Sequence, residues 1–347
     1  MEDSKIRIGI IGAGGNTKLR HIPGFQSIDG VEIVAVCNRS EVSSQKVADE
    51  FGIPNVVSDW KEIMANPGID AVMIGTWPNM HAELTIASLE AGKHVLTEAR
   101  MARNVDEAQQ MLDTSLNHPE LVAQVVPSPF TLFCDKTITR IIENGDLGLI
   151  YELFVEFSTG MLANPKGLFT WRLDHELSGV NTLFSGIFHE AVLRWVKRNP
   201  EWVIADGLIG TMARKDPETG DAKTVLIPDS LSVMARYSQG FKATYLFSGL
   251  SASVQRSEMR LSGSNGALLL DLADGKLMFS PTDSNRYEEV EIPDSQRGKW
   301  QVEQEFIESI RDGRPVTHTS FKDGVEYMRF SQAVWDSWTD GSKKVWL

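Results

Sequence analysis

Short apolar runs alternate with helical periodicity through the first third of the chain. Ile8–Ile11 leads into a turn holding Gly12, Gly14 and Gly15, and a second apolar run, Val31–Val36, follows about 20 residues later. Asp70-Ala-Val-Met-Ile-Gly75 reads as a strand short and apolar on both faces, as strands buried inside a parallel sheet are, and Lys93–Thr97 and Leu121–Val126 read as further strands. Between them His81–Ala91 reads as a helix ending at Gly92, a natural left-handed stop. Asn104-Val-Asp-Glu107 has the spacing of a capping box opening another helix. This repetition predicts an α/β protein whose first domain, residues 1–126, is a doubly wound parallel sheet.

Beyond residue 126 the pattern changes. A helix near Asp135–Asn144 precedes an alternating strand, Ile150–Ser158, and a polar, aromatic loop leads to a helix around Asn181–Lys197. Val203–Val290 holds several strands separated by turn signals such as Ser264-Asn-Gly266 and Ala273-Asp-Gly275. Helices near Gln301–Asp312 and Lys322–Thr339 close the chain. Successive strands without helices between them predict a second α/β domain, 127–347, with a large, open, mostly antiparallel sheet. Such a sheet suits a homodimer or homotetramer, and a cleft shared by two domains is a preferred ligand position.

At 347 residues the chain exceeds what one core usually supports. Its net charge of −13 disfavours nucleic acid or an anionic membrane as partner. No apolar run reaches the length of a membrane span. Cys37 and Cys134 form no disulfide framework, and Met1-Glu-Asp-Ser-Lys5 lacks the blocks of a signal peptide, so a cytoplasmic location is expected. No His, Cys or carboxylate spacing points to a metal.

The glycine turn carries the chemistry. A backbone that bends tightly and approaches a pyrophosphate needs residues without a Cβ, and the following helix points unpaired N–H groups at the anion. Gly12, Gly14, Gly15 and Asn16 are therefore expected to hold a dinucleotide. Cofactor choice turns on Cys37-Asn38-Arg39-Ser40, where a carboxylate would select NAD. Asn38 is neutral, while Arg39 and Ser40 suit a 2′-phosphate, which favours NADP over NAD. An Arg39 lying over the adenine would serve either. Thr76, Trp77, Pro78 and Asn79 form a turn beside this site; either Trp77 packs on the dinucleotide or the turn is merely rigid.

Gly75-Thr-Trp-Pro-Asn-Met-His81, Ala91-Gly-Lys-His-Val-Leu-Thr-Glu98 and Gly179-Val-Asn-Thr-Leu-Phe-Ser-Gly-Ile-Phe-His189 resemble, in order, three motifs of the glucose–fructose oxidoreductase / inositol dehydrogenase / MocA family. The resemblance covers nearly the whole chain. It implies a Rossmann domain, NAD(P), and sugar or cyclitol substrates. It places Glu98 near the nicotinamide ribose, His81 at a helix start lining the cofactor site, and His189 as the acid–base group. Departures accompany it. Ala99 stands where the family has a catalytic lysine, Arg100 follows it, Ser185 replaces an aspartate, and Thr17 with one extra residue alters the glycine turn. Arg100 is read as an electrostatic helper, or as a partner of Glu98 or Asp106, because a guanidinium cannot act as a base. His189, among Phe184, Ile187, Phe188 and Leu193, is alternatively a core residue. Trp171, Arg172, Asp174 and His175 are dense in aromatic and ionisable groups and predict a polar ligand, with Ser185 beside His189; Arg172 resembles a substrate-binding position. The expected function is an NAD(P)-dependent oxidoreductase acting on a sugar, sugar acid or cyclitol. A hydrolase or lyase working by transient oxidation, and a silent dinucleotide sensor, are the alternatives.

Overall fold

In the computed structural model, which describes residues 5–347, six parallel strands form one sheet: β1 (Ile6–Ile11), β2 (Val31–Cys37), β3 (Asn55–Val56), β4 (Ala71–Ile74), β5 (His94–Thr97) and β6 (Ala123–Val125). Their spatial order is β3-β2-β1-β4-β5-β6, and every pairing is parallel. Ile8, Ile10, Val72, Met73, Ile74, Val95 and Leu96 are fully buried, and β4, buried throughout, reads as an unbroken apolar run. The connecting helices are α1 (Ile22–Gln26), α2 (Glu41–Phe51), α3 (Trp60–Ala65), α4 (Pro78–Glu90) and α5 (Val105–Asn117). At the start of α5 only half of the expected capping box forms. Asn104 Oδ1 accepts the Glu107 amide at 2.9 Å, while the Glu107 carboxylate takes the Arg103 amide at 3.1 Å instead of that of Asn104.

The later elements are α6 (Asp135–Glu143), β7 (Ile150–Ser158), α7 (His175–Ser178), α8 (Ser185–Val196), β8 (Trp202–Leu208), β9 (Ala213–Lys215), β10 (Ala222–Thr224), β11 (Ser230–Arg236), β12 (Lys242–Ser248), β13 (Arg256–Gly263), β14 (Gly266–Asp271), β15 (Lys276–Pro281), β16 (Glu288–Glu289), α9 (Val302–Asp312), α10 (Phe321–Thr339) and β17 (Val345–Trp346). Nine strands make one sheet in the order β16-β15-β14-β13-β7-β12-β11-β8-β17, antiparallel except for β7 with β12. One face packs Leu153, Val155, Val233, Tyr245 and Phe247 against Ile138, Phe188, Val192 and Phe330. On the other face the registers align Ile204, Met234, Thr244, Phe154, Arg260, Leu269 and Met278 in one row across the sheet. Within that row the Arg260 guanidinium lies 4.4 Å over the Phe154 ring.

The division into domains is not contiguous. The first compact unit comprises residues up to Pro127 together with Gln301–Val325, and the second comprises Ser128–Trp300 with Glu326–Leu347. The expected 127–347 domain is thus corrected: 301–325 belongs with the parallel sheet. The cause is local. Val125 N donates to Thr319 O at 3.0 Å and Gln124 Nε2 to His318 O at 2.6 Å, so the segment covers the edge of β6. On α9, Phe306 packs edge-to-face on Phe25 with ring centres 6.3 Å apart.

Candidate functional site

The order of the parallel sheet reverses between β1 and β4, where ligands gather at the carboxyl ends of the strands. The glycine turn lies there. Gly12 has φ of +85°, and an added Cβ would come 2.6 Å from the Thr76 amide nitrogen. Gly75, at the end of β4, leaves equally little room, since a Cβ there would overlap Thr17 Oγ1 and the Gly12 carbonyl oxygen. The Gly14 amide bonds back to Gly12 O at 3.0 Å, so the turn is held by its own backbone. Gly15 and Asn16 are exposed and open the next helix, which places their N–H groups ahead of the first intrahelical acceptor. A Cβ on Gly15 would meet nothing within 4 Å, an open approach suited to an anion. The extra residue of the glycine turn is absorbed by a wide π-helical turn, Thr17–His21, closed by Ile22 N–H onto Thr17 O. Buried Thr17 donates its hydroxyl to Gly12 O at 3.2 Å.

At the end of β2, Asn38 is a support. Its Oδ1 accepts the Ala13 amide at 2.6 Å and its Nδ2 donates to Ser43 O at 3.2 Å, which spends the side chain on shaping the turn. Ser40 caps α2 by accepting the Ser43 amide at 3.3 Å. Arg39 is exposed, and its guanidinium lies 5.5 Å over the Trp77 ring, which begins α4. The Thr76 hydroxyl donates to Trp77 O at 3.3 Å, and Asn79 Oδ1 is buried without a hydrogen-bond partner. His81 is buried, with Nδ1 2.9 Å from Arg100 O and Nε2 3.1 Å from Thr76 O. It braces the loops after β4 and β5 rather than facing a ligand, and burial pushes its pKa down.

After β5 come Glu98, Ala99 and Arg100. Glu98 Oε1 accepts from Asn16 Nδ2 at 2.5 Å and faces His21 Nε2 at 3.1 Å, while Oε2 accepts the Ala99 amide at 3.1 Å. Burial alone would raise this carboxyl, but the hydrogen bond and charge of His21, with the other donors, hold it below the usual carboxylate range. Arg100 is 6% exposed. The turn, Asn16 and Glu98 are thus brought together, with Arg39 and Trp77 at the neighbouring strand ends. No motif marks His21 or Glu303, which faces the other ring nitrogen.

The second-unit residues separate into two groups. His189 is fully buried, and neither ring nitrogen is available. Asn199 Nδ2 donates to the carbonyl and carboxylate of Glu326 at 2.9 and 2.8 Å, so its Oδ1, 2.7 Å from His189 Nε2, accepts from that nitrogen. Nδ1 must then accept from the Tyr245 hydroxyl at 3.0 Å, and the ring stacks on Phe330 at 3.7 Å. Burial pushes this imidazole down to about 3 against the raising effect of Asn199. The acid–base role expected of His189 is corrected on these grounds: it is a neutral histidine bonded into the core. Ser185, 1% exposed, donates to Thr182 O at 2.8 Å and is likewise spent. The other group lies on a short 3-10 turn, Trp171–Leu173, and at the start of α7. The Arg172 guanidinium sits 4.2 Å over the Trp171 ring, and His175 stacks on Trp335 at 4.7 Å. Asp174 caps α7 by accepting the Glu176 amide. Among the described residues no group of three or more His, Cys, Asp or Glu is placed to hold a metal ion, and no helix is long and apolar enough to cross a membrane.

A parallel sheet in this order, with a glycine turn at its switch point, defines the first unit as a dinucleotide-binding Rossmann domain. Residues 6–125 match the oxidoreductase family with an NAD-binding Rossmann fold, and residues 136–269 match the GFO/IDH/MocA C-terminal domain. The chain belongs to this Gfo/Idh/MocA family of oxidoreductases. An uncharacterized oxidoreductase of Rhizobium meliloti is 29% identical over 58% of this chain, a match spanning 59% of the relative. The D-xylose 1-dehydrogenase (NADP(+)) 2 of Haloferax volcanii is 24% identical over 96% of this chain and 98% of its own length. The fold is also that of levoglucosan dehydrogenase solved in complex with NADH and L-sorbose, at a TM-score of 0.85 and 20% identity over 98% of both chains.

Proposed function

We propose that the protein is an NADP-preferring oxidoreductase acting on a hydroxyl or carbonyl group of a sugar, sugar acid or cyclitol. The reading is carried by the exposed Gly15 and Asn16 amides at the sheet's switch point, with Arg39 at one neighbouring strand end and Glu98 at the other. The pyrophosphate would be held by those amides and the ribose of the nicotinamide by Glu98. Arg39 would take a 2′-phosphate, since Asn38 is committed to Ala13 and no carboxylate ends β2. When bound, the nicotinamide ring supplies the hydride acceptor. Arg100 polarises the substrate oxygen, and Trp171 with Arg172 offers a flat apolar surface and a cation to a polyhydroxylated ligand. With His189 engaged, His175 becomes the candidate for exchanging the hydroxyl proton, because its ring stacks on Trp335 and makes no hydrogen bond among the described residues. The D-xylose and levoglucosan dehydrogenases among the relatives support a carbohydrate substrate. The aligned row on the uncovered sheet face supports a homodimer or homotetramer, while the acidic charge argues against nucleic acid or an anionic membrane.

The test is a panel of sugars, cyclitols and glycosides with NADP+ and NAD+, following reduced-nicotinamide absorbance and product release together. A net absorbance change supports the proposal. Released aglycone at constant absorbance replaces it with transient oxidation, and dinucleotide binding without either signal replaces it with a sensor.

A further inference from the structure

His21 ends the π-helical turn that follows the glycine turn, and its ring is fully buried. Nε2 lies 3.1 Å from Glu98 Oε1 and Nδ1 lies 2.5 Å from Glu303 Oε1. Ionised carboxylates only accept, so both ring nitrogens donate and the group between them is an imidazolium. Asn16 Nδ2, at the mouth of the glycine turn, converges on the same Glu98 oxygen. Glu303 is 3% exposed and comes from α9, in the segment that rejoins the parallel sheet from far along the chain. A second observation shows that room is kept for it. Gly24 sits inside α1, where glycine is unfavourable, and a Cβ there would come 2.7 Å from Glu303 Cγ and 2.9 Å from its Oε2.

We propose that Glu303 is a positioning residue for the dinucleotide site, acting through the His21 imidazolium to fix and charge-balance the Glu98 carboxylate beside the glycine turn. The inference rests on the reading of the first unit as a dinucleotide site. Among the charges acting on His21 are Glu98, after β5, and Glu303, on α9. On its own turn, Lys18 pairs outward with Glu50, and Arg20 is exposed. Burial pushes the imidazole down, but the hydrogen bonds it donates to Glu303 and Glu98, with both charges, override this and hold it up at about 9. Loss of that proton leaves two carboxylates facing one neutral ring, which strains the site Glu98 belongs to. Dinucleotide affinity therefore stays level at neutral pH and falls as His21 deprotonates. Removing the Glu303 charge takes away one of the two partners of the imidazolium, so the proton leaves at lower pH.

The experiment titrates NADPH into the full chain from about pH 6 to about 10, following nicotinamide fluorescence, for the wild type and Glu303→Gln. The expected result is a fall in wild-type affinity near pH 9 that moves down by about one pH unit or more in the variant. A folded Glu303→Gln whose break stays put would overturn the proposal. Nitrogen NMR of His21 in the wild type covers a variant that fails to fold: both ring nitrogens should be protonated at about pH 7.5, and a neutral ring would equally overturn it. Absence of wild-type binding at every pH would remove the dinucleotide reading itself, and this inference with it.

Discussion

His189 donates from Nε2 to Asn199 Oδ1 across 2.7 Å, and that single bond fixes the direction of every proton along the chain of side chains it joins. Because Nδ1 is left as an acceptor, the Tyr245 hydroxyl donates to it, and the Tyr237 hydroxyl in turn donates to Tyr245 at 3.1 Å. Losing the imidazole would open a cavity under Phe330 and orphan two buried polar groups. His189→Ala should therefore cost about 2–4 kcal/mol of stability, read by denaturant titration. His175→Ala should leave stability within about 0.5 kcal/mol and reduce turnover by roughly 100- to 10,000-fold. The reverse pattern would return the acid–base role to His189.

Acid should unfold the second unit through the same residue. His189 titrates near 6.5 in the unfolded chain and at about 3 in the folded one, so the unfolded state binds the extra proton between those values. Its stabilisation is complete above pH 6.5 and is lost as the pH falls toward 3. At about 1.4 kcal/mol per unit of pKa this amounts to several kcal/mol. Urea titrations across that window should show the loss, and His189→Phe should flatten it; an unchanged acid limb in a folded variant would refute the assignment.

Arg39 should set the choice of cofactor. Arg39→Ala is expected to weaken NADP+ at least about tenfold, one lost charge-assisted contact, and NAD+ far less. Isothermal titration with both dinucleotides checks this, and equal losses would mean that Arg39 serves only the adenine.

The uncovered sheet face supplies a fourth test. Met234, on β11, is 54% exposed near one end of the aligned row, which Thr244 and Phe154 continue toward the centre of the sheet. Met234→Glu puts a charge into that row and should shift the proposed dimer or tetramer to monomers in sedimentation equilibrium while the circular dichroism spectrum stays native. Unchanged mass would move the interface elsewhere.

The elements legible in the chain are those whose signal is local. Ile150–Ser158 alternates because one face is covered, and β7 has those bounds. Gly12 announces itself because only glycine sits comfortably at its φ. What escaped reading depends on partners remote in sequence. His189 occupies a motif position, yet its role is decided by Asn199, Tyr245 and Phe330, none of which the motif contains. His21 and Glu303 stand 282 positions apart, so no window of sequence pairs them. One faint local sign existed: a glycine at position 24, inside a helix that would otherwise prefer alanine. The return of 301–325 was hidden for the same reason, since α9 has the ordinary amphipathic pattern of a helix belonging to whichever domain precedes it.

That return has a practical side for protein engineering. Cutting the gene after codon 127 would yield a fragment whose outermost strand lacks its covering segment and whose innermost imidazole has lost an anion. Anyone wishing to graft this nucleotide module onto another scaffold would have to carry two stretches of polypeptide, stitched by a linker, rather than one.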